Sequence, residues 1–113
     1  MRSRDKIYSM KSSFTVHDLP PDERPRERMI REGAENVSAQ ELIAILLGRG
    51  VKGQSVMHIA QQLVKKYKSL DVIVQASLED LQEVRGLGPA KALQLKAGVE
   101  IAHRVMLLEL EKE

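Results

Sequence analysis

The chain has 113 residues, of which 42% are apolar and only 3% aromatic, with 18 basic side chains against 16 acidic ones and no cysteine. That is material for one small core of Leu, Ile, Val, Ala and Met, and it excludes disulfides, thiolate metal sites and a cysteine nucleophile. No apolar run approaches the roughly 18 residues that span a bilayer and no apolar stretch follows the basic start, so the chain reads as cytoplasmic, without a membrane partner.

Met1 to Val16 is polar and basic without an apolar period, and reads as a flexible tail. His17-Asp18-Leu19-Pro20-Pro21 is extended, because a proline disfavours helix in the residue before it. An arginine-dense helix follows over Pro25 to Glu32, with Met29 and Ile30 as its apolar side, and Gly33 stops it. Ser38-Ala39-Gln40-Glu41 has the form of a capping box, Ser38 capping the helix and Glu41 reaching back. It opens an apolar helix, Leu42 to Leu47, expected to be buried on most sides. Gly48 to Gly53 is a loop with three glycines, after which Ser55 caps a helix through Val56, Ile59, Ala60, Leu63 and Val64. Ser69 to Ala76 is a short connection with Leu70, Ile73 and Val74 turned inward.

Leu81 to Leu95, LQEVRGLGPAKALQL, places its glycines where a helix-hairpin-helix needs them. A helix from Leu78 to Arg85, capped by Ser77, buries Leu81 and Val84. Gly86 ends it in a positive-φ conformation, Leu87 turns inward, and Gly88 lets another backbone come close. Pro89 starts the last helix, which runs to about Leu110, and Ala92 keeps the two helices near each other. N–H groups around Gly86, Gly88, Ala90 and Lys91 are then unpaired at a positive helix end, where a backbone phosphate can sit, with Lys91 and Arg85 adding mobile charge. The same spacing also builds an ordinary αα-corner, and both readings stand at this point.

Organisation repeats along the chain. An apolar helix, a Gly-x-Gly turn and a helix with an alanine at its close contact occur at Leu42 to Leu63 as well, with a longer turn, as a degenerate first hairpin. On the last helix Ala92, Leu95, Val99, Ala102 and Met106 keep one apolar strip, and Leu93, Ala97, Ile101 and Val105 a second. Leu107, Leu108 and Leu110 extend beyond the needs of a small domain, which calls for a partner or a continuation. Residues 1–16 are thus a tail, 17–106 a helix-hairpin-helix domain, and 107–113 a helix end or linker.

The formal charge of +2 announces no partner, but its distribution does. Gly48 to Leu70 holds Arg49, Lys52, Lys65, Lys66 and Lys68 without an acid, and Asp71 to Val84 holds four acids without a base. Arg85 to Arg104 is again basic, so each positive stretch contains a glycine turn, as expected if both turns face a polyanion. Lysines at the end of a helix also simply answer its dipole. Catalytic patterns are lacking: His17, His58 and His103 are isolated, Glu41 is explained as a cap, and GRGVKGQS lacks the Gly-Lys-Ser ending of a phosphate loop.

Together, DLPPDERPRERMIREGAENVSAQELIAILLGRGVKGQSV and LEDLQEVRGLGPAKALQLKAGVEIAHR resemble the N-terminal region of the bacterial RadC family, over about Asp18 to Arg104. The resemblance rests on the Leu-Pro start, the Glu-Arg-Pro-Arg-Glu-Arg run, the Gly-Ala before the capped helix and the Lys-Gly-x-Ser-Val segment, in that order. It implies a helix-hairpin-helix fold similar to domain two of the junction-binding protein RuvA, a role in DNA repair, and a downstream metallopeptidase-like JAMM (MPN) domain whose His-x-His motif this chain lacks. The chain then corresponds to an excised or truncated N-terminal domain.

The expectation is an all-α bundle of short helices with paired hairpins, binding DNA without regard to sequence. Amides of Gly86, Leu87, Gly88, Ala90 and Lys91, with Arg85, hold one phosphate, and Gly48, Arg49, Gly50 and Lys52 meet another. No metal, cofactor or enzymatic activity of its own is expected. The alternative is a scaffold domain that uses its leucine-rich end and arginine-rich first helix to hold a JAMM domain or a second copy of itself.

Overall fold

The computed structural model describes residues 24–112; the tail at 1–16, the extended segment at 17–21 and His17 lie outside the described residues. Among the described residues there are six α-helices, in order α1 (Pro25–Glu32), α2 (Ala39–Leu47), α3 (Val56–Tyr67), α4 (Leu70–Gln75), α5 (Leu78–Leu81) and α6 (Pro89–Glu111), with one 3-10 turn at Ala34–Asn36. Among the described residues no strand forms, and the fold is the all-α bundle expected.

The local signals act as read. Pro25 and Pro89 stand in the first turns of α1 and α6, and Gly33 ends α1 at φ 91°. Ser38, Ser55 and Ser77 each accept the N–H three residues on, at 3.1, 3.1 and 3.0 Å. Glu41 returns the capping box by accepting the Ser38 N–H at 2.9 Å.

Glu41 has a second partner that sequence reading missed. Arg28 of α1 donates to its other carboxylate oxygen at 2.5 Å, pinning α1 to the start of α2. Burial alone would raise the Glu41 pKa, but the Ser38 N–H and the Arg28 guanidinium outweigh it and hold the carboxyl below its ordinary range. A carboxylate with a lowered folded pKa contributes stability that is present above its unfolded value and lost as pH falls through the folded one. Glu41→Gln, which keeps an oxygen for the Ser38 N–H but removes the charge facing Arg28, is therefore expected to cost about 1 kcal/mol at neutral pH, the upper range for a partly exposed ion pair. It should also shrink the stability lost on acidification below about pH 4.3, read by urea unfolding at neutral and acid pH.

Two hairpins, α2–turn–α3 and α5–turn–α6, pack across one another through α2 and α6, while α4 bridges them along the side of α3. Ile43, Ala44, Leu47, Val56, Ile59, Ala60, Leu63, Ile73, Leu81, Val84, Leu87, Ala92 and Leu95 fill the space between. Ala60 and Ala92, the small residues of the repeat, are wholly buried. Methionine takes a smaller part than composition suggested: Met57 is only partly buried against this core.

Several helices turn differently from expectation. Pro25 is the buried residue of α1, so Ile30, five positions on, lies on the far face and is 85% exposed. Leu42 and Leu46 of α2 are also exposed, because that helix buries only its Ile43–Ala44–Leu47 stripe. In α4 the inward residues are Ile73 and, just past its end, Ala76; Leu70 and Val74 face outward. The helix expected from Leu78 to Arg85 ends at Leu81. Beyond it the N–H groups of Glu83 and Val84 bond three residues back, to Asp80 and Leu81, and this tighter winding still buries Val84.

Helix α6 is the spine. Beyond its core face it supplies polar side chains that close the ends of other helices: Lys91 Nζ donates to the Leu47 carbonyl at 3.1 Å, Gln94 Nε2 to Leu46 at 3.3 Å, and Lys96 Nζ to Ala76 at 2.9 Å. These carbonyls lie at or just past the ends of α2 and α4 and lack an i+4 helical partner, so the α6 side chains supply donors that the helices themselves do not. From Glu100 onward every residue of α6 is exposed, including those of both apolar strips.

Candidate nucleic-acid interface

The first hairpin's turn is built by Gly48 and Gly50. Gly48, at φ 84° and ψ −71°, centres a turn in which the Arg49 N–H reaches the Leu47 carbonyl at 3.1 Å. This three-residue turn of positive φ is strained for any residue with a Cβ. Leu47 O thus accepts from Arg49 N–H and from Lys91 Nζ, using both lone pairs. Next, Val51 and Gln54 exchange two backbone hydrogen bonds of 2.9 Å around Lys52 and Gly53. Gly50 lies under that small loop: a Cβ there would fall 2.3 Å from Gln54 O and 2.7 Å from Val56 N.

Close backbone approach, expected at Gly88, is therefore the role of Gly50. A Cβ on Gly88 meets nothing within 4 Å, because its open side faces away from the rest of the described chain. Gly86 has the positive φ expected, 90°, and its missing Cβ makes room for Gln54 Cγ and Ile59 Cδ1, which a methyl would meet at 2.7 and 2.9 Å. The second turn is thereby pressed onto the segment that leaves the first. Leu87 is buried as the anchor, its N–H bonded to Val84 O at 3.0 Å, so this amide is not one of those available to a ligand. The N–H groups of Gly86, Gly88, Ala90 and Lys91 have no acceptor among the described residues, and Gly88 bears no capping side chain.

Six of the positive side chains line two clefts. One, of about 1040 Å³, runs between the first turn of α1, the Gly48–Gly53 turn and the first two turns of α6. Arg24, Arg26, Arg49 and Lys91 line it, with Glu27 the acid among its lining residues. The other, about 360 Å³, is lined by His58, Gln62, Lys66, Glu83 and Arg85. Gln54 borders both. Gly48, Arg49, Gly50 and Lys91 are thus brought together, whereas Arg85 belongs to the other groove and Lys52, exposed at the tip of its loop, to neither.

Charge pairing within the fold changes the reading of the lysines. Lys91 is half-buried and holds a carbonyl, so it is a fixed charge rather than a mobile one. Lys66 donates to Glu83 at 3.0 Å, which raises its pKa, and it stands 5.3 Å from the centre of the Tyr67 ring. The basic block is thus tied at this point to the acidic one, and Lys65 and Lys66 occupy the last turn of α3 as the dipole favours.

Sequence reading missed Arg24, Arg26, Gln54 and Gln94 as parts of the site. The arginine density of α1 was visible, but its position opposite the first turn depends on the Arg28–Glu41 contact, which joins residues 13 apart. Among the described residues no cluster of His, Cys, Asp or Glu can hold a metal, and no helix is long and apolar enough to cross a membrane.

Compared with known protein families, residues 16–93 match the family described as UPF0758 N-terminal. UPF0758 proteins of Shouchella clausii and Protochlamydia amoebophila are each 46% identical over 93 residues, which cover 82% of this chain and 40% of each of them. One from Caldanaerobacter subterraneus is 46% identical over 95 residues, 84% of this chain and 41% of that protein. The matched region is therefore well under half the length of these relatives. No solved structure matches the chain.

Proposed function

This chain belongs to the UPF0758 family by its N-terminal domain, and we propose that it is a sequence-independent DNA-binding module of the RadC proteins within that family. The carrying observation is the cleft in which three segments distant in sequence set Arg24, Arg26, Arg49 and Lys91 around one glycine turn. Such a concave cationic wall suits a phosphate backbone, since it attracts charge and offers no pattern that distinguishes one base from another. The unpaired amides at the start of α6 add donors of fixed direction beside it. The domain then holds DNA rather than reacting with it, and a cytoplasmic location and a part in DNA repair go with that reading.

Phosphate contacts release counterions, so the test is salt. Contact with three or four phosphates predicts that affinity for a labelled duplex falls about 40- to 150-fold between about 50 and 200 mM salt. Duplexes of equal length and unrelated sequence should give one curve. Affinity unmeasurable even at the lower salt, or unmoved by salt, rejects the proposal.

A further inference from the structure

The last turns of α6 belong to no part of the site just described. Twelve residues, 100–111, stay helical although each of them is exposed. From Val105 to Leu110 five of six residues are apolar: Val105, Met106, Leu107, Leu108 and Leu110. At about 100° per residue they are spread around the whole circumference of the helix rather than along one stripe. A second copy of the chain laid alongside covers a stripe, as in a coiled coil, and leaves Leu107 and Leu110 in water when it covers Leu108. Glu100, His103, Arg104 and Glu111 share one side of this segment and Glu109 interrupts the other, so a larger body that contacts the helix on several sides, with those charges at its rim, covers more of the apolar residues than a single stripe does. The family match stops at residue 93, within α6, and is to an N-terminal region; the relatives carry the greater part of their length outside the matched stretch.

We propose that the exposed end of α6 is the docking element for the C-terminal part of the UPF0758 proteins, which packs over its apolar sides and so fixes that part to the N-terminal domain as one rigid unit. The helix is then a structural peg, not a loose tether.

Hydrogen exchange compares the two situations directly. In this chain the amides of residues 104–111 are expected to exchange freely, while the helix that continues from the matched region of the full-length Shouchella clausii protein should exchange at least about 100-fold more slowly. Equal exchange in both overturns the proposal. Sedimentation of the chain over a range of concentrations, beside Val105→Lys and Leu108→Lys, separates the other occupants. A dimer of the parent that these substitutions dissolve gives the face to a second copy, and protected amides in a monomer give it to the chain's own residues 1–23; either result overturns the proposal. Monomers of unchanged melting temperature, with freely exchanging amides, agree with it.

Discussion

Gly50→Ala is expected to lose about 3 kcal/mol of folding stability or to fail to fold, the range in which overpacking against an unyielding neighbour falls. A methyl there meets backbone, not a side chain that can swing away: Gln54 O at 2.3 Å and Val56 N at 2.7 Å. Relieving that clash opens the paired hydrogen bonds between Val51 and Gln54 and shifts Ser55, the cap of α3. Gly88→Ala is the matched control. Its φ of −82° suits any residue and its missing Cβ faces open space, so the cost should stay within about 0.5 kcal/mol, as for other glycine replacements at a cap. Urea unfolding followed by circular dichroism ranks the two. A Gly50 variant as stable as the Gly88 variant would mean that the turn gives way easily, and that the first hairpin does not hold its cleft by close packing.

Reversing Arg26 and Arg49 together, to glutamate, should lower duplex affinity at least about 50-fold near 0.1 M salt and reduce the salt slope by about 2, since each phosphate contact contributes about 0.9. Both side chains are exposed on the wall of the cleft, so the melting temperature should hardly move. Lys91→Met should behave otherwise. It removes a cleft charge and also the bond to Leu47 O, with a stability loss of about 1 kcal/mol alongside weaker binding. Anisotropy titrations and thermal melts on the same preparations distinguish the patterns. A double variant that folds and binds like the parent sinks the cleft as the interface, and a Lys91 variant of unchanged stability removes its capping role.

How the chain divides into helices was already legible because those signals are local. Pro25, Ser38 with Glu41, Ser55, Ser77 and Pro89 each act within one helical turn, on N–H groups that the helix itself leaves unpaired, and each works in the structure as its residue type dictates. The anchor Leu87 and the alanines Ala60 and Ala92 were equally readable, since small and apolar residues at helical spacing have few other uses. A composition so poor in aromatics likewise pointed to a helical core.

Only the tertiary structure decided which residues share a surface. Lys91 and Leu47 are 44 residues apart, and nothing local to either says that an ammonium will close the end of the other's helix. Gly50 and Gly88 look alike in sequence; one lies against backbone and the other faces open space, because the small loop after Gly50 folds back over it. Arg49 and Arg85 each stand beside a glycine turn, yet the crossing of the hairpins sends them into different clefts. Capping and turn formation depend on neighbours a few bonds away and can be read from order alone, whereas a cleft is set by the packing angles of whole helices, which sum over the entire core.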